Sequence, residues 1–181
     1  MRLKEKYKKE ILQAIKDKFG LKNDLEVPRM EKVVINVGFG KHFKEKAYIS
    51  NIEKGLAKIA GQKCVFAKAR KSISAFKVRE GMIIGAMVTL RGARMYDFVD
   101  KLVNITFPRV RDFRGINMKS VDSNGNITVG FKEHTAFPEI TPEMTDNIHG
   151  LEISIATSIK NREYGLELFK LIGFPFKKEN S

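Results

Sequence analysis

Apolar residues recur along this chain at two alternating periods, and the switches between them mark out its elements. Leu3, Tyr7, Ile11, Ala14, Ile15 and Phe19 return every three or four residues, and Gly20 follows them. This spacing predicts an amphipathic helix over 3–19 with a left-handed glycine cap. Residues 23–28 read as a connection. Val33, Ile35, Val37 and Phe39 then alternate with Lys32, Val34, Asn36 and Gly38, which is the period of a half-buried strand with Asn36 on the face turned from the core. Helical spacing returns in Ile49, Ile52, Leu56 and Ile59, a predicted buried stripe over 47–60, and Gly61 stands in the cap position.

Lys63–Ala67 reads as a short strand, with Cys64 in mid-strand as a small packing residue. In the next strand Ile84, Ala86, Val88 and Leu90 face one way, while Gly85, Met87, Thr89 and Arg91 face the other. The two strands make a hairpin whose tip, about 69–81, exceeds the usual 2–5 residues of a hairpin loop, and a loop that long is expected to be functional or disordered. Met95, Phe98, Val99, Leu102 and Val103 predict a third helix ending before Phe107-Pro108. A loop with Arg109, Arg111 and Arg114 follows. Val121 leads into the turn cluster Asp122–Asn126 and a strand over 127–131. Residues 134–149 read as an exposed acidic loop holding Glu139, Glu143 and Asp146. Leu151, Ile153 and Ile155 mark a last strand, and Asn161 caps a final helix through Leu168, Leu171 and Ile172, closed by Gly173.

These elements make an α+β fold: a predominantly antiparallel sheet with helices packed on one face, the other face left open, and a long basic hairpin loop. The length of 181 residues suits a single domain over 1–181, with a basic body over about 1–120 and a mildly acidic portion over about 121–181 in the same fold.

Charge sharpens the picture. The net charge is +13, and it is unevenly spread: residues 1–46 hold 13 cations against 7 acids, 47–120 hold 15 against 5, and 121–181 hold 6 against 9. A body this basic calls for a polyanionic partner. The densest part runs from Gly61 to Gly81, where Lys63, Lys68, Arg70, Lys71, Lys77 and Arg79 face the single acid Glu80. The Lys-rich side of the first helix, with Lys4, Lys8, Lys9 and Lys16, fits either phosphate contact or a solvated face.

Other chemistries find little footing. One cysteine forms no disulfide within the chain and no cysteine zinc site, which favours a reducing cytoplasm and no cofactor. His42, His134 and His149 lie apart in sequence without metal-ligand spacing. Gly38-Phe39-Gly40-Lys41 lacks the spacing and the Ser or Thr of a phosphate loop, so a strand-end turn is the better reading. No apolar run reaches the about 20 residues of a membrane span. The open face, with Asn36, Met87, Thr89 and Arg91 beside a cationic loop, suits folded RNA. Cations neutralise phosphates there, and amide and hydroxyl groups reach 2′-hydroxyls and base edges in the wide minor groove. A non-ribosomal RNA-binding module is the alternative on these grounds.

Six runs carry a resemblance: Arg29–Gly38, Gly61–Lys63, Ala69–Ile73, Val88–Gly92, Phe107–Gly115 and Leu171–Phe176. In order and over nearly the whole chain they resemble the bacterial large-ribosomal-subunit protein five, the family that binds 5S ribosomal RNA. The resemblance implies a non-enzymatic protein of the cytoplasmic ribosome, sited in the central protuberance and without homo-oligomers. Its implied partners are 5S rRNA, 23S rRNA, the P-site tRNA, small-subunit protein thirteen and neighbouring 5S-binding ribosomal proteins. It also implies a 5S contact through Asn36, Gln62, Lys63, Thr89 and Arg91. The tRNA contact would fall on Arg70, Lys71, Ser72, Ser74, Lys77 and Arg79, and an intersubunit bridge would draw on Arg109, Arg111, Arg114, Glu139 and Glu143.

Overall fold

The computed structural model describes residues 2–40, 42, 45–141 and 148–177. Among these residues five strands form one antiparallel sheet, β1 (Met30–Gly38), β2 (Val65–Lys68), β3 (Ile83–Leu90), β4 (Ile127–Phe131) and β5 (Leu151–Thr157), in the order β2-β3-β1-β5-β4. Among the described residues four helices accompany it. The first, α1, begins as Leu3–Lys6, passes through a π-helical stretch at Tyr7–Ile11 and continues as Leu12–Phe19. Next comes α2, Lys46–Ala60, and the last is α4, Arg162–Ile172. Between them α3 runs Gly92–Lys101, again through a π stretch at Leu102–Thr106, to a final turn at Phe107–Arg109. The chain divides into two compact units, one of Met1–Val33, Leu90–Val129 and Ile153–Ser181, the other of Val34–Thr89 and Gly130–Glu152.

The strand pattern holds except at the start of β3, where Ile84, expected in the core, is half-buried and Gly85, expected on the open side, is buried. Val33, Ile35 and Val37 of β1, Ala86, Val88 and Leu90 of β3, and Leu151, Ile153 and Ile155 of β5 are buried, while Asn36, Met87 and Glu152 are exposed. Every apolar partner in those sets lies two residues from the next, so burying one face fixes the register: a slip of one residue would expose the whole set. The helix ends also match expectation, with Gly20, Gly61 and Gly173 in the left-handed region and Asn161 accepting from the Glu163 N–H at 2.8 Å.

The helices depart from expectation at two places, and in both the chain widens into π geometry. In α1 the apolar residues Leu3, Tyr7, Ile11, Ile15 and Phe19 are four apart, and at about 100° per residue that spacing drifts around a regular helix by about 160° over its length. The wider turn at Tyr7–Ile11 takes up part of the drift and keeps Leu3, Ile11 and Ile15 buried; Ala14, expected in this stripe, is exposed, and Ile49 of α2 is only half-buried. In α3 the helix does not stop before Phe107-Pro108 but continues to Arg109. The π stretch just ahead shifts the hydrogen-bond ladder, which relieves the proline clash that the expected stop rested on.

In the first unit, Phe107 and Phe169 are fully buried and both set their rings edge-on to Phe174, with centroids 5.8 and 5.1 Å away. Tyr7 donates to the Pro28 carbonyl at 3.0 Å, and burial, with the neighbouring Tyr96, pushes its hydroxyl up to about 12. In the second unit the stretch expected as an exposed acidic loop is anchored at both ends. Phe137 is fully buried, and His134 and His149 are buried and stacked, with ring centroids 4.0 Å apart at 13°. The histidines read as isolated are therefore a pair, closed by the His134 N–H donating to the His149 carbonyl at 3.1 Å.

Candidate nucleic-acid interface

The open face of the second unit is built on three strands whose register follows from short contacts. Val65 of β2 lies opposite Met87 of β3. The Phe39 N–H donates to the Ile84 carbonyl at 3.0 Å, and Gly85 lies against Gly38, which sets Asn36 of β1 opposite Met87 on its other side. Val65, Met87 and Asn36 thus form one row across the sheet, all exposed to solvent. One step along β3 on the same face stands Thr89, half-buried.

Gln62 reaches this face from outside the sheet. Gly61, at φ 64, ends α2 in a conformation only glycine adopts freely, and it turns the chain so that the Gln62 side-chain amide donates to the Thr89 carbonyl at 3.4 Å. That contact explains a correction to the expected strand. The strand is Val65–Lys68, not Lys63–Ala67, because the Gln62 side chain takes the Thr89 carbonyl and ladder pairing starts two residues later. Cys64 accordingly precedes β2; it is buried, and burial together with the Glu53 carboxylate raises its thiol above the ordinary range. Lys63 is 83% exposed and only loosely paired to Glu53 at 3.9 Å, so its charge remains available to a partner. The structure therefore brings together Asn36, Gln62, Lys63 and Thr89, which are spread over more than fifty residues of sequence. Arg91, also exposed, belongs to the other unit as the residue capping α3.

Beyond β2 the chain enters the cationic excursion, which is a folded finger. A bulge at Ala67/Lys68 re-aims the strand, and Ala69 and Met82 keep pairing through an N–H to carbonyl bond of 2.8 Å. Ile73 and Val78 then bridge with bonds of 2.8 and 3.2 Å around a single 3-10 turn, Ser74–Phe76, that ends at Lys77 in the left-handed region, φ 54. The Ser72 hydroxyl accepts from the Glu80 N–H at 2.9 Å and ties the two sides together. Arg70, Lys71, Ser72, Ser74, Lys77 and Arg79 are all exposed or nearly so, and among the described residues none of the four cations has an acid within ion-pair distance. Phe76 at the tip is 71% exposed. At the root of the finger Ala69, Ile73, Val78 and Ile84 line a cavity of about 1010 Å³.

The remaining expected positions are divided between the two units. Arg109 is in the last turn of α3 and not in a loop, while Arg111 and Arg114 follow it, exposed, beside a stack of Phe107 on Phe113 at 5.3 Å. These three belong to the first unit, Glu139 belongs to the second, and Glu143 lies outside the described residues, as does Asp146. Two surface features leave no mark in the sequence pattern. Val65, 65% exposed, reads in the sequence as part of a packed strand, and the hairpin register that pairs it with Met87 is the missing signal; Phe76 is hidden by the charge around it. Among the described residues no group of three or more His, Cys, Asp and Glu is placed to hold a metal, and no helix is long and apolar enough to cross a membrane.

A strongly basic α+β scaffold that presents a polar sheet face and, beside it, a folded cationic finger is a nucleic-acid-binding protein by class. Comparison with known proteins makes this specific. The family model of ribosomal protein L5 matches residues 23–79, and the model of the C-terminus of the same ribosomal family matches 83–176. Large ribosomal subunit protein uL5 of Desulforapulum autotrophicum is 53% identical over 175 residues, which cover 97% of this chain and 98% of that one. Proteins of the same name from Halothermothrix orenii and Fervidobacterium nodosum are each 50% identical, over 97% and 98% of this chain and 98% and 96% of their own. The chain belongs to the ribosomal protein L5 family, uL5. It is a structural, rRNA-binding protein of the large ribosomal subunit in the bacterial cytoplasm, and not an enzyme.

Proposed function

We propose that the open sheet face of the second unit holds 5S rRNA in the large subunit and helps attach it to 23S rRNA in the central protuberance. The observation that carries this reading is the convergence of Asn36, Gln62 and Thr89. Three uncharged hydrogen-bonding side chains, from β1, from β3 and from the turn after α2, meet on one solvent-facing surface, with Lys63 at its edge. Few charges and several directional groups suit the shallow minor groove of an RNA helix, where 2′-hydroxyls and base edges are within reach. Cations flanking the face supply affinity, and the amide and hydroxyl groups supply discrimination.

The finger has a different composition and takes a different partner. Its Arg70, Lys71, Lys77 and Arg79, with the hydroxyls of Ser72 and Ser74, form a phosphate-binding tip that contacts the P-site tRNA. The exposed arginines Arg111 and Arg114, with Arg109, and separately Glu139 and Glu143, are the proposed contacts to small-subunit protein thirteen; the exposure of the arginines favours their side of this surface.

Gly38 offers a clean test. A Cβ built there meets nothing within 4 Å, so Gly38→Val should leave the fold intact yet put a branched side chain into the face. Filter binding of 5S rRNA and of an unrelated RNA of similar length, over a salt series, should show the wild-type chain preferring 5S rRNA and G38V losing that preference. Equal affinities of the wild-type chain for the two RNAs would refute the assignment.

A further inference from the structure

Resting on the reading of the sheet face as the 5S rRNA contact, we infer that Val65 and Met87 are specificity-determining residues: an apolar shelf that packs on the ribose edges of the RNA minor groove and shields Asn36 and Thr89 from water. Val65 is 65% exposed and Met87 37% exposed, directly opposite one another, and Asn36 completes their row. Thr89 stands one step away along β3. An exposed branched aliphatic beside an exposed thioether, on a face that also carries the Asn36 amide, the Thr89 hydroxyl and the Lys63 ammonium, is a costly arrangement for a surface that stays in water.

The occupant follows from the surroundings. Lys63 at the margin and the cation-rich finger beyond β2 exclude a basic partner and favour a polyanion. A polyanion that also offers apolar surface at the same depth as its hydrogen-bonding groups is an RNA helix presented minor groove first, where ribose C–H edges line both rims. Packing Val65 and Met87 against those edges removes water from the neighbouring polar contacts. Hydrogen bonds to Asn36 and Thr89 then discriminate more sharply, because a mismatched RNA leaves buried groups without partners. Phosphate contacts, by contrast, add affinity for any RNA and carry the salt dependence.

The double variant Val65→Thr with Met87→Gln keeps shape and strand preference while removing the apolar surface. Circular dichroism and a thermal melt establish that it folds as the wild-type chain does. Its affinity for 5S rRNA should fall about tenfold, the size expected when two partly exposed apolar side chains leave a buried contact. The fall should be the same at every salt concentration, with affinity for an unrelated RNA of similar length unchanged. The apolar control Val65→Ile with Met87→Leu should retain 5S binding. Unchanged 5S affinity in V65T/M87Q overturns the inference, and so does an equal loss on both RNAs or a change in salt slope. If G38V loses 5S binding while V65T/M87Q does not, the sheet-face reading stands and the shelf alone fails; if neither variant affects 5S binding, both fail.

Discussion

The sheet face and the finger share the β2–β3 hairpin, yet they solve the problem of meeting a nucleic acid in opposite ways. On the face, Asn36 and Thr89 are held in strands and Gln62 by its bond to the Thr89 carbonyl; they are few and uncharged, and position is their contribution. The finger concentrates four cations on a hairpin tip closed by one bridge, Ile73 with Val78. Each of its charges acts at a distance and tolerates small displacements, because Coulomb attraction falls slowly with separation whereas a hydrogen bond is lost within an ångström. A rigid face therefore suits a permanent RNA and a cationic tip suits a partner that comes and goes.

The largest effect that would separate the two regions is expected at Thr89. Thr89→Leu should weaken 5S rRNA binding by about 1–3 kcal/mol, since it places an apolar group against RNA polar atoms that lose their partner. Isothermal titration reads this directly. Replacing Lys71, Lys77 and Arg79 together by alanine should leave 5S affinity within about threefold and weaken P-site tRNA binding to ribosomes carrying the variant. A 5S defect in the triple variant as large as that of T89L would erase the distinction between the regions.

Smaller changes sharpen the comparison from the side of stability. Lys77 holds a left-handed φ of 54, which favours glycine, so Lys77→Gly should stabilise the finger by up to about 1 kcal/mol while removing one cation; slower amide exchange at Ile73 and Val78 would report it. Tyr7, far in sequence from both regions, tests whether the scaffold behaves independently. Its hydroxyl is pushed up from 10.0 to about 12 by burial, so the neutral form is favoured on folding. The stability this lends is full below pH 10 and is lost as pH rises toward 12. Tyr7→Phe removes the bond to the Pro28 carbonyl, should cost about 1 kcal/mol in urea melts at about pH 7, and should flatten the decline of stability between pH 10 and 12.

Much of this was legible in the residues alone, for identifiable reasons. Alternation at Val33–Phe39 and at Ile84–Leu90 sets which side of each strand meets the core, so the outward positions of Asn36 and Thr89 followed from parity. The path of Gln62 did not, because it depends on how the Gly61 cap aims the next residue. The row of Val65, Met87 and Asn36 needed the order β2-β3-β1, which no local pattern encodes. The stacked pair of His134 and His149 was also out of reach: fifteen residues apart, they meet only when the ends of their loop are brought together by β4 and β5. The π stretches left a trace in the repeated four-residue spacing of α1, but such spacing is also tolerated in regular helices.

Hydroxyl-radical footprinting of the free protein and of its complex with 5S rRNA tests the division most directly, because each region carries its own reactive reporter. Met87 sits on the face, 37% exposed, and Phe76 at the finger tip, 71% exposed. With 5S rRNA bound, oxidation of Met87 should fall several-fold while Phe76 stays as reactive as in the free protein. Protection of Phe76 with Met87 still oxidised at the free-protein rate would contradict the account and move the 5S contact to the finger.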